Sequence, residues 1–189
     1  MGFDQVVIHC GAPALCGIKP ANLFSMREDL FCSGKRRIAA WNKELHKEGV
    51  RVVPLRRFGS LILFYVYSRK LVERIVRSAD VRMYLSDKGY KVSDGVDALL
   101  SELFHRLTFD TVFPHEVGLF LGYPLRDVVA FERTKGKHFR YSGLWKVYGD
   151  VAAARLQVSE YDACTKFCQS VLEQGFSVPA VVKKYKSVH

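Results

Sequence analysis

His9 and Cys10 stand side by side after the apolar run Val6–Ile8 and ahead of the loop GAPALCGIKP, residues 11–20. A thiol beside an imidazole is the pairing of a nucleophile with its base. The β-branched run predicts a strand over Val6–His9, so the pair sits where open α/β sheets deliver ligand-binding groups to a loop. Gly11 and Gly17 would let that loop approach a ligand, and its amides could receive an anion. Lys19 precedes a predicted helix start whose positive end would depress a thiol's pKa. The same residues also fit a plainer arrangement, in which His9 and Cys10 finish a buried strand and the glycines only shape a turn.

Four further thiols complete the set: Cys16, Cys32, Cys164 and Cys168. An odd number without CxxC, in a chain large enough to dispense with staples, predicts reduced thiols. The C-x₅-C spacing of Cys10 and Cys16 is open to a disulfide or a shared soft metal. A Cys-loop phosphatase would need Arg six residues after Cys10, and Cys16 stands there. Cys164 and Cys168 lie one helical turn apart and could share a face and a soft metal. Neither His nor a third Cys accompanies them locally, so core packing is the expectation and no metal ligand is assigned.

A second cluster is FPHEVGLFLGYPLRDVVAF, residues 113–131. His115 and Glu116 open a short apolar helix and could serve as base and orienter, as metal ligands, or as helix cap and first-turn acid. The residue four after His115 is Leu119, so the segment is not an H-E-x-x-H zinc site. The third cluster, SGLWKVYGD over 142–150, sets Lys146 and Tyr148 on one strand face, where they could grip an anion, and Trp145 on the other. GxGxxG, GxxxxGK[ST] and GxSxG are all absent, which leaves nucleotide cofactors and hydrolase elbows without support.

The elements that must position these groups follow from periodicity. Pro20 suits the first turn of a helix through Leu30, and Ile38, Trp41 and Leu45 stripe a second over Arg37–Lys47 that stops at Gly49. Strands over Arg51–Arg57 and Ser60–Tyr67 flank Phe58-Gly59, the second apolar on both faces as a central strand should be. Helical spacing then returns from Arg69, at Val81–Leu85, and at Val96, Leu99, Leu100, Leu103 and Leu107. Short helices over His115–Leu121 and Leu125–Arg133, a strand over Tyr141–Tyr148 and a long helix over Val151–Glu173 complete the chain. No internal repeat or linker divides it. The expected fold is a single α/β or α+β domain over 1–180, with one small mixed sheet of about four strands covered by helices, and a basic tail over 181–189.

Composition narrows the partners. With 49% hydrophobic and 25% charged residues, neither disorder nor a fibrous fold fits. Twenty-nine Lys and Arg against nineteen Asp and Glu give a formal +10, which invites a polyanion. Nearly all of that excess falls in residues 33–77, a stretch that could be a solvated face, grip nucleic acid or another polyanion, or steer a flavodoxin-like acidic protein. No apolar run reaches membrane-spanning length, and the N-terminus lacks the basic start of a signal peptide, so a cytoplasmic protein without membrane association is expected.

The blocks HCGAPALCGIKPANLF, LILFYVYSRKLV, FPHEVGLFLGYPLRDVVAF and WKVYGD resemble a family of unknown function common in anaerobic Gram-positive bacteria. The resemblance spans nearly the whole chain and implies an iron or redox setting. His9, Cys10, Lys19, His115, Glu116, Tyr123, Lys146 and Tyr148 match its blocks, whereas Cys16 departs from them. Taken together, Cys10, His9, His115 and Glu116 are the expected catalytic set around one pocket for redox, thiol or metal-linked chemistry, with Lys19, Tyr123, Lys146 and Tyr148 holding an anionic small molecule. The cofactor stays open. A non-enzymatic polyanion or acidic-protein binding module using the basic face is the competing expectation.

Overall fold

The computed structural model describes residues 1–189 and divides into two units, Met1–Leu71 with Tyr161–His189, and Val72–Glu160. The α and β elements are mixed as expected, with helices predominating over one small sheet. No helix is long and apolar enough to cross a membrane.

The first unit opens with helix α1, Phe3–Leu15. This corrects the strand expected over Val6–His9. Phe3, Val7, Gly11 and Leu15 recur at four-residue intervals, and with Ile8, Ala12 and Ala14 they bury most of the helix. That longer period overrides the β-branched preference of three residues. A glutamine side chain closes the start, as the Gly2 N–H donates to Gln5 Oε1 at 2.6 Å. The end is a Schellman turn: Gly17, at φ 76°, donates to Ala14 O at 3.1 Å, and Ile18 donates to Pro13 O at 3.0 Å. Gly17 is therefore a helix terminator.

Strand β1, Ala21–Arg27, replaces the helix expected after Pro20. Pro20 forgoes an N–H donor but its carbonyl accepts from the Ser68 amide at 2.8 Å, which feeds the chain into the sheet. Helix α2, Glu28–Glu44, starts earlier than its apolar stripe suggested. Strands β2, Val50–Phe58, and β3, Leu61–Ser68, form the predicted hairpin. The sheet order is β1-β3-β2, all pairs antiparallel, with β3 central as its two apolar faces required. Pro54 lies in edge strand β2, and the register slips by one residue between Pro54 and Arg56. Phe24 on β1 pairs with Phe64 on β3, their rings stacked at 5.5 Å. Phe64 also meets Phe3 and Phe31, and Phe3 stacks on Trp41, so one aromatic group ties α1 and α2 to the sheet.

Helix α3, Arg69–Val76, follows β3; helices α4, Ala79–Asp87, and α5, Val96–Phe109, belong to the second unit. Next come the single turn α6, Val117–Phe120, and α7, Leu125–Thr134. The strand expected over Tyr141–Tyr148 shrinks to a hairpin of two short strands, β4, Tyr141–Ser142, and β5, Lys146–Val147. Gly143 lies at its turn, where a Cβ would come within 2.9 Å of the Tyr141 ring. Helix α8 occupies the predicted Val151–Glu173, its residues from Tyr161 onward belonging to the first unit. Residues 181–188 of the expected basic tail belong to helix α9, Val178–Val188. Val178, Val181, Val182 and Tyr185 are buried at the i, i+3, i+4, i+7 spacing, while the lysines between them face outward.

The closest approach in the first unit is at Gly34 of α2, where a Cβ would lie 2.0 Å from the Phe3 ring. Alanine favours a helix over glycine by about 1 kcal/mol, but overpacking a rigid aromatic core costs roughly 1–3 kcal/mol. Gly34→Ala is therefore expected to lower stability to denaturant, against its propensity; an unchanged or raised midpoint would place Phe3 elsewhere.

Candidate functional site

The C-terminal turn of α1 carries Cys16 into the core of the first unit. There it meets Cys164 and Cys168 on the last half of α8, and all three are buried. Their sulfur atoms lie within 4.8 Å of one another. Cys16 Sγ and Cys168 Sγ are 3.4 Å apart, a thiol hydrogen bond with no covalent link. The α8 spacing provides two thiols on one face, and the Gly17 turn fixes where the third arrives.

Three buried thiols that touch cannot ionise independently. One thiolate gains the S–H donors of its neighbours, and its charge then opposes a second ionisation in a poorly solvated site. Hydrogen bonding with the Cys16 and Cys168 thiols, and with the Tyr185 hydroxyl, lowers the Cys164 thiol from the usual thiol range. Cys16 is pushed far up by its hydrogen bonds to Cys164 and Cys168 and by burial. Cys168 is raised to about 12: its bond to Cys16 works the other way, but its bond to Cys164, burial and the Cys164 charge prevail. Tyr185 comes from α9, where His189 stacks on its ring at 4.3 Å and Phe167 meets it edge-on. The sequence could have revealed part of this set only through the one-turn spacing of Cys164 and Cys168, because nothing local points from them to Cys16.

Lys19, expected as an anion ligand, follows the same turn and is only 3% exposed. Its ammonium lies 5.6 Å from the centre of the Tyr161 ring on α8. Burial lowers its pKa from 10.5 to about 8. His9 and Cys10 lie inside α1 and not at a strand end. His9 is exposed, with Nδ1 3.1 Å from Gln169 Nε2. Cys10 is half-buried, and desolvation raises its thiol pKa; in mid-helix it gains nothing from a helix N-terminus.

His115 and Glu116 belong to the second unit and take different partners. Glu116 is 4% exposed and accepts from Arg106 Nη1 at 3.0 Å and from the Tyr90 hydroxyl at 3.1 Å. Arg106 is itself anchored by Glu102 and the Lys88 carbonyl, and covers the Tyr90 ring at 4.2 Å. The His115 ring turns instead to Phe131, at 5.2 Å, and Phe113. It lines a cavity of about 340 Å³ together with Tyr123 and Lys146. The Tyr148 hydroxyl pairs with Thr134 Oγ1 at 2.9 Å. In the basic segment, Arg37 pairs with Asp4, Arg57 with Glu28 and Arg77 with Glu73.

Asp127 on α7 fixes the wall of that cavity. It is 3% exposed; Oδ2 accepts from Trp145 Nε1 at 2.8 Å, and Oδ1 accepts from the amides of Tyr148 and Gly149 at 3.1 and 3.0 Å. Three donors compensate the carboxylate for lost water and hold the β5 segment to α7.

The thiol cluster predicts a thiolate whose ultraviolet absorbance persists at pH values below the ordinary thiol range near 9. Cys164→Ser should abolish that band, and Cys32→Ser should leave it; no band in the parent would refute the assignment. Lys19 makes a separate stability prediction. The unfolded lysine keeps its proton until about 10.5 and the folded one releases it near 8, so the unfolded state binds more protons between those values. Stability from this group therefore rises with pH across that window. Measured in parallel by denaturant unfolding, the stability of Lys19→Met relative to the parent should fall by on the order of 3 kcal/mol over that window. A pH-independent difference would show that burial does not destabilise the ammonium.

No curated protein and no solved structure matches the chain. Residues 6–182 match the family model described as Protein of unknown function (DUF3793). The match covers nearly the whole chain, and the protein belongs to that family.

Proposed function

We propose that Cys16, Cys164 and Cys168 bind a single thiophilic cation, Zn(II) in preference to Cu(I) or Fe(II), and that this thiol centre is what the first unit serves. The carrying observation is the gathering of three buried sulfurs within 4.8 Å of one another. A zinc–sulfur bond of about 2.3 Å places three sulfurs around one ion roughly 3.8–4.0 Å apart, which the cluster reaches by shifts of under about 1 Å. Iron–sulfur clusters draw on four cysteines, and three converging sulfurs suit one ion better.

Charge favours zinc within that class. Three thiolates around one Zn(II) carry a single net negative charge. Cu(I) in the same three-thiolate site would bury one further negative charge, at a desolvation cost. Fe(II) is weaker than Zn(II) in the ordinary affinity order of divalent ions. Three protein ligands leave a fourth position on zinc for a water or an exchangeable thiol, so the expected thiol chemistry would take place there.

Reduced, metal-stripped protein should take up one equivalent of Zn(II) and release protons as it binds near neutral pH. Cys16→Ser, Cys164→Ser and Cys168→Ser should each weaken binding by at least about a hundred-fold, beyond the usual effect of changing an outer hydrogen-bond partner. Cys10→Ser and Cys32→Ser should not. Cobalt(II) as a probe should give thiolate-to-metal absorption that Cys164→Ser removes. Failure of zinc to bind, tighter binding of Cu(I) or Fe(II) in competition, or uptake insensitive to all three substitutions would overturn the reading.

A further inference from the structure

The second unit holds a different site, independent of the thiol cluster. Its cavity of about 340 Å³ is half-open and lined mainly by aromatic and aliphatic side chains, among them Phe113, Tyr123, Phe131 and Trp145. Tyr123 and Trp145 stack at 4.8 Å to form a flat wall, and the Phe131 ring stands edge-on to His115 at 5.2 Å. Phe113 and Leu144 in this lining remain 48% and 50% exposed. Apolar surface left in water around a concavity, beside a few polar groups, is characteristic of a ligand site.

The polar groups identify the ligand's charge. Asp127 is the acid in the lining, and both of its oxygens are occupied by Trp145 Nε1 and the amides of Tyr148 and Gly149. Its oxygens are therefore engaged by those donors and not offered to a ligand. Lys146 contributes an ammonium whose contacts are neutral, Ser142 Oγ at 2.8 Å and the Phe139 ring at 4.0 Å. Both contacts orient the ammonium without cancelling its charge, and the His115 imidazole adds a possible N–H donor. Close packing shapes the floor: a Cβ on Gly118 would lie 2.9 Å from Val128 and 3.2 Å from Tyr123.

We propose that this cavity binds a small planar aromatic carboxylate, with its ring between the Trp145–Tyr123 wall and Phe131 and its carboxylate on Lys146. The volume lies at the low end for small-molecule sites and suits a one- or two-ring acid. A flat apolar body meets the aromatic lining, and a single negative charge meets the one ammonium.

The test uses the full-length protein and naphthoate, with naphthylmethanol as its neutral counterpart, followed by isothermal calorimetry or by quenching of Trp145 fluorescence. Naphthoate should bind saturably below about 1 mM and at least about ten-fold more tightly than naphthylmethanol. Lys146→Met should remove that ten-fold preference while leaving naphthylmethanol binding unchanged, and Phe131→Ala should weaken both compounds. The Lys146 side chain is only half-buried, so circular dichroism and the thermal midpoint should match the parent. Lack of saturable naphthoate binding would overturn the proposal. So would equal binding of the two compounds, or a preference for naphthoate that survives Lys146→Met in a folded variant.

Discussion

Removing an ionisable group from water is the constraint that both units have to satisfy, and each does so with its own neighbours. In the second unit Glu116 is surrounded by Arg106 and Tyr90, and Asp127 by an indole and two backbone amides. In the first unit the buried groups include three thiols and one lysine. An unpaired buried charge costs several kcal/mol, more than any single packing contact provides, so these partners dictate local geometry. The carboxylates meet the constraint with donors that persist. The thiols meet it by turning to one another, with Cys16 Sγ 3.4 Å from Cys168 Sγ.

The same constraint explains why Asp127 matters to the cavity without entering its chemistry. Its oxygens reach Trp145 and the start of the following turn, so α7, β5 and the aromatic wall form one bonded set. Close contact at Gly118 excludes a side chain between α6 and α7 and brings Tyr123 against Trp145. The Asp127 oxygens face these donors, and Lys146 supplies the ammonium of the lining.

Much of the fold was legible in the sequence wherever one period ran long enough. Helix α8 occupies the residues its pattern indicated, and the β2–β3 hairpin, α5 and α7 follow their spacing closely. Failures came where a short window competed with a longer one. Val6 to His9 has the composition of a strand, but the four-residue recurrence from Phe3 to Leu15 belongs to a helix and buries more surface. Residues 21–27 were drawn into a helix by Pro20, although Phe24 opposite Phe64 can only be appreciated once β3 is known to be central. Helix α9 was obscured by its lysines, which occupy the face that its buried valines leave to solvent.

The candidate sites divide along the same line. His115, Tyr123 and Lys146, singled out for their chemistry, do line one cavity, because the turns joining α6, α7 and the β4–β5 hairpin are short enough to keep them together. His9 and Cys10 drew attention because a strand end was expected beneath them; inside a helix, their side chains follow a different direction. The thiol cluster was half visible. Cys164 and Cys168 share a helix face by spacing alone, and the absence of a third ligand nearby argued for simple packing. That argument considers only neighbours in the chain, whereas Cys16 lies more than a hundred residues away and arrives through a glycine turn that exposes one thiol to two others. A thiol cluster assembled from a helix end and a helix face leaves no compact motif in a sequence, because the spacing that matters is set by the packing of α1 on α8.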